Sequence, residues 1–251
     1  MPIKEFFYDR YLAGDHIAVW NEMVDLGDGI RSPEFFDDAY ATARETMRRV
    51  KKNIETVIQR LEELGYQFQY PDEVHILPSS EPEKEILVIE ETYGVLPLSL
   101  RAFYHEVGSV NLMQSFNQII HFSRSKERAQ SPELFILGEE DPLVVSPISW
   151  LIYDADSKNN SHYCCFAPDE FHKANYSGGE NYHVTIPNPG ADFVIEGMYG
   201  INERFIDYLR ESFRYGGFRG KVSTIFGSAT AEKISPKLSV VRFLQTALVP
   251  F

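Results

Sequence analysis

Carboxylates are the most abundant side chains with which this chain could do chemistry, and seven of them fall in segments that read as turns or strand ends. Glu139, Glu140 and Asp141 lie between two predicted strands, Asp154 and Asp156 flank the end of another, and Asp169 and Glu170 follow Ala167-Pro168. Loops at the ends of a sheet can gather such groups into one acidic surface, which steers a basic protein partner and anchors its Lys or Arg through charge-assisted hydrogen bonds. Phe171 and Tyr176 are close in sequence and either supply apolar contact area to that surface or belong to the core.

Soft metal ligands are fewer. His162, Cys164 and Cys165, with His172 and His183 downstream, form the one cluster. A structural zinc site pairs ligands two to four residues apart on a hairpin, and here only His162 and Cys164 are so paired, which is expected of ordinary strand residues. The two cysteines are neighbours, so on a strand they point to opposite faces and a bond between them is strained; two buried, reduced thiols are expected. A Cys164 nucleophile needs a nearby His and a third group to orient it, and nothing in the sequence marks it as activated. His105-Glu106 lacks the second His of a zincin helix, and the chain has no Gly-rich phosphate loop and no Gly-x-Ser-x-Gly elbow. The chemistry expected is binding, with no metal and no cofactor; an enzyme acting through carboxylates or Cys164 is the alternative from another class.

Charge sharpens this. The 251 residues carry a net charge of −13, and residues 81–200 hold 7 basic against 18 acidic side chains. A field of that sign repels phosphate backbones and disfavours direct nucleic-acid binding. No apolar run approaches the ~20 residues of a membrane helix. The first 16 residues mix charges with aromatics, unlike a signal peptide, so a soluble cytoplasmic protein is expected.

Those side chains must be positioned by elements whose periods are visible. Ala43, Met47, Val50, Ile54, Val57, Leu61 and Leu64 alternate spacings of four and three, a heptad seam on a helix expected over residues 33–64. Ser32 is placed to cap it, Pro33 to occupy its first position and Gly65 to end it. The seam needs a partner: the rest of the domain, the helix predicted over 15–26, a second copy of the chain or another protein. Residues 70–82, with three prolines, read as a linker. Short β-prone runs follow at 110–113, 119–122, 134–137, 143–145, 150–153, 163–166, 183–186 and 193–195, and an apolar stripe predicts a helix over 202–214. A last helical segment starts at Ser235-Pro236. Helices, then strands, then helices is an α+β pattern with a mainly antiparallel sheet. The expected division is a helical extension over 1–70, a linker over 71–82, an α+β domain over 83–217 and a C-terminal segment over 218–251.

At the junction of helices and strands, Gly94 ends one helix, Leu96-Pro97 restarts the next, and Gly108 ends that in turn. In order, Glu90, Gly94, Leu96, Pro97, Phe103 and Gly108 resemble the signature of the SUKH superfamily, which includes the yeast cell-wall synthesis regulator and many bacterial immunity proteins against polymorphic toxins. Val107-Gly108-Ser109 stands where the family has an Asn-Gly-like turn. The resemblance implies a noncatalytic protein-binding domain, foremost an immunity protein that masks a basic toxin domain, with a regulatory scaffold of the same fold as the alternative. Within it the motif residues build the scaffold, and the acidic loops choose the partner.

Overall fold

The longest element of the computed structural model is the helix α3 (Phe36–Glu63), whose 28 residues make a rod about 42 Å long. Residues 6–115, 120–122, 133–135, 141–153, 156–158, 161–176, 179–198, 202–219 and 239–251 are described. From Ala43 to Leu61 every seam residue of α3 is fully buried, and Leu64 packs partly buried at its end. Two short helices, α1 (Phe7–Leu12) and α2 (His16–Asp25), cross one end of it. There Trp20 Nε1 donates to Thr46 Oγ1 at 3.1 Å, and the Asp38 carboxylate accepts the Phe7 N–H at 2.6 Å. The helix begins later than its sequence predicts. Ser32 closes a turn through its carbonyl, which accepts from Phe35 and Phe36, so Ser32 and Pro33 lie outside α3 and no side chain caps it.

Beyond Gly65 the chain crosses the proline-rich stretch read as a linker. This stretch contributes the strand β1 (His75–Ile76) to a sheet, because Val74 and its neighbours find a backbone ladder that no two-residue run announces in sequence. Helices α4 (Pro82–Tyr93) and α5 (Leu98–Glu106) form the expected corner, and α5 lies along α3. The strand β2 (Ser109–Asn111) then pairs antiparallel with β1 on one side and with β5 (Val144–Val145) on the other. Between them in sequence, β3 (Ile120–Phe122) and β4 (Glu133–Phe135) form a separate antiparallel pair.

Residues 150–153, read as a strand, belong instead to the helix α6 (Ile148–Tyr153). A four-residue apolar run has no period of its own, and Pro147 opens a turn that the Trp150 N–H closes. Three strands follow as one antiparallel sheet: β6 (Asp156–Lys158), β7 (Ser161–Ala167) and β8 (Tyr182–Ile186), with the one-turn helix α7 (Glu170–Lys173) between the last two. The two three-stranded sheets meet where the Ser146 N–H donates to the Phe166 carbonyl at 2.7 Å. The helices α8 (Phe205–Arg214) and α9 (Ser239–Leu244) complete the α+β fold.

One apolar core runs from Phe7 to Phe251 and draws on α1 to α6, β2, β5, β7, β8, α8 and α9. At its centre Phe103, Phe166, Phe193 and Phe205 pack edge to face or stacked, with centroids 5.2–5.7 Å apart. The seam of α3 is covered inside this core, against α5, α1 and α9, and offers no open stripe to a second copy.

Candidate protein-interaction face

The helix corner is rigid for reasons that can be named. Gly94 has φ +104°, and a Cβ there would sit 2.5 Å from the Pro187 side chain; Gly108 has φ +91°, and its Cβ would collide with the Ile76 carbonyl oxygen. Only glycine satisfies both demands. Glu90 accepts the Leu96 N–H at 3.1 Å and faces the Arg101 guanidinium, so its carboxylate ties α4 to the start of α5. Pro97 precedes α5 with extended backbone, and Leu96 and Phe103 are buried. These six residues build scaffold and present no chemistry of their own.

The carboxylates expected on an acidic surface divide. Glu139, Glu140 and Asp154 lie outside the described residues, and of Asp156 only the strand backbone is described. Asp141 and Asp169 are buried, which corrects their expected place on exposed loops. Asp169 caps α7: one oxygen accepts the His172 N–H at 2.8 Å and contacts His172 Nδ1 at 2.6 Å, while the other lies where a Cβ on Gly179 would collide with it. Glu170 is half-buried and accepts from the Tyr182 hydroxyl.

Asp141 enters a buried ionic cluster. Lys173 Nζ donates to Asp141 Oδ1 at 2.6 Å and to the Tyr208 hydroxyl at 3.2 Å, and it lies over the Tyr182 ring at 4.9 Å. The Lys173 and Asp141 side chains are 0% and 1% exposed. Arg219 approaches the second Asp141 oxygen at 3.9 Å and pairs with Glu203. Burial pulls the Lys173 ammonium down, but the adjacent Asp141 charge and Tyr208 outweigh it and hold the lysine above its ordinary value. Each carboxylate of the cluster is thus met by a cation from another part of the chain.

Cys164 and Cys165 form no disulfide and are buried, at 0% and 6% exposure, so neither is presented to solvent. No group of three or more His, Cys, Asp or Glu among the described residues is placed to hold a metal ion. His162 stands edge-on to Tyr93 with ring centroids 5.0 Å apart.

What the surface does present is apolar. Two adjoining open clefts of about 500 and 410 Å³ share Ile76, Ser109 and Pro147 as a common saddle. One runs between the β1 end and α4, past Leu77 and Val88; the other crosses β2 and β5 towards Trp150, Tyr70 and α7. Trp150 is 54% exposed; Tyr70 and Ile76 are exposed in the same cleft, and Leu77 and Val88 in the adjoining one. Burying such side chains is worth roughly 1.5–3 kcal/mol each, so leaving five of them on one face is costly in water. The helical members have local causes. On α4, Ile86 and Ile89 face the core, and the four-residue apolar run they bracket is too broad for a single buried stripe, which leaves Leu87 and Val88 outside. On α6, Leu151 turns inward and thereby turns Trp150 out. The sequence carried one legible sign of this face, the four consecutive apolar residues 86–89 in an otherwise acidic helix; Trp150 was hidden by its reading as strand.

No helix among the described residues is long and apolar enough to cross a membrane. A scan of protein-family models, a search of curated proteins and a search of solved structures gave no match to this chain.

Proposed function

We propose that this chain is a noncatalytic protein-binding domain of SUKH type, which acts in the cytoplasm as an immunity protein and neutralises a toxin domain by covering it. The observation that carries the binding reading is the pair of adjoining apolar clefts that leave Trp150, Ile76 and Val88 exposed on their walls. The ordered motif Glu90, Gly94, Leu96, Pro97, Phe103 and Gly108 supports the family, and the net charge of −13 suits a basic partner. Co-expression with toxin domains encoded beside its gene tests the role. Protection that is lost with Trp150→Ala supports it; no protection and no complex with any of them refutes it.

A second reading has one observation in its favour. His172 lines the second cleft with its Nδ1 2.6 Å from a carboxylate oxygen of the buried Asp169, a pairing of the kind hydrolases use to orient a histidine. That reading requires turnover of an ester or amide substrate that disappears in His172→Ala, and a His172→Ala protein that still protects a host against its toxin counts against it.

A further inference from the structure

We propose that the double cleft takes one short segment of the partner protein, with an apolar side chain seated on each side of the Ile76–Pro147 saddle and Lys or Arg residues flanking them. The inference rests on the protein-binding reading and specifies the chemistry of what is bound.

Charge complementarity selects this occupant. Each cleft is lined by one exposed carboxylate, Glu85 in the first and Glu73 in the second, and neither forms an ion pair among the described residues. No Lys or Arg is among the described residues that line either cleft. Asp72 adds a further exposed carboxylate next to Glu73 in the chain, and the exposed Lys84 and Glu81 pair with each other. The floor is apolar, so binding energy comes from seated side chains, while the two carboxylates fix polarity and raise the association rate.

The same charges exclude other occupants. A second copy docking this face on itself would bring Glu73 and Glu85 against like charges. A nucleic acid or an anionic membrane would meet the same repulsion.

Selection from a displayed library of random segments of about 12 residues, roughly 40 Å when extended, tests the inference on the full chain. Trp150 provides the readout, because the only other tryptophan, Trp20, is 2% exposed. Enriched segments are expected to combine apolar anchors with Lys or Arg, to shift Trp150 emission and to shield it from acrylamide. Trp150→Ala should weaken them at least about tenfold, and Glu73→Gln with Glu85→Gln should weaken them and flatten their salt dependence. Val88→Asp, at an exposed helix position, repeats the test without touching the tryptophan. Groove binders with acidic or uncharged flanks overturn the inference and leave the binding reading standing. If no segment binds the groove, the inference falls; if Trp150 is also shielded from acrylamide in the free chain, the binding reading falls with it.

Discussion

Replacing Lys173 with Met removes the cation that meets Asp141 and leaves the rest of the fold's apolar volume nearly unchanged. Its ammonium is wholly enclosed and bonded to Asp141 Oδ1 at 2.6 Å, and the only other cation near that carboxylate among the described residues, Arg219, stands 3.9 Å from the second oxygen. Breaking a buried pair from one side costs about 3–5 kcal/mol, because the remaining charge stays desolvated without a partner. For a chain of this size each kcal/mol moves the melting temperature by about 2–4 °C, so Lys173→Met should lower it by roughly 6–20 °C. The double variant Lys173→Met/Asp141→Asn removes both charges, and Asn tolerates the positive φ of 48° at that position. It should recover much of the loss, giving a coupling energy of at least about 1 kcal/mol in a double-mutant cycle. Urea unfolding followed by circular dichroism measures all four proteins. A Lys173→Met protein within about 1 kcal/mol of the parent, or strictly additive single variants, refutes the claim that this pair is buried and mutually dependent.

Gly108→Ala should destabilise by more than about 1 kcal/mol, since it meets both a left-handed backbone and the Ile76 carbonyl; a melting curve unchanged from the parent would show that the corner is not built as described. Asp192 gives a pH prediction. Its enclosed carboxyl accepts from the Ser99 hydroxyl at 2.7 Å and the Ile206 N–H at 3.1 Å, which joins the starts of α5 and α8, and burial raises it to about 7. The folded chain therefore keeps a proton that the unfolded chain gives up near pH 4. Its contribution is full below that point and is lost as pH rises towards 7, by up to roughly 4 kcal/mol. Asp192→Asn should flatten this slope in denaturant titrations at pH 4 to 7, and an equal slope in both proteins would remove Asp192 as its source.

What could be read from the sequence was whatever repeats over short distances. The α3 seam, the stripe of α8 and the glycine stops at Gly65, Gly94 and Gly108 were legible because helix period and left-handed backbone are local properties. The helix α6 and the strand β1 were not, because four apolar residues or two extended ones have no period to read. Asp141 and Asp169 looked like solvated loop acids since the sequence around them is turn-like. Asp141 is buried because Lys173 lies 32 residues away in the chain and yet within 2.6 Å in space.

Sequence by itself determined that α3 must bury one stripe, that the chain is acidic, and that rigid glycines frame a helix corner. Only the tertiary structure decided that the stripe is satisfied by the chain's own α5, that Asp141 is consumed by a buried lysine and Asp169 by the cap of α7, and that Trp150, Ile76 and Val88 share one exposed face. Local periods specify which surfaces need covering, and long-range packing alone specifies what covers them and which are left open.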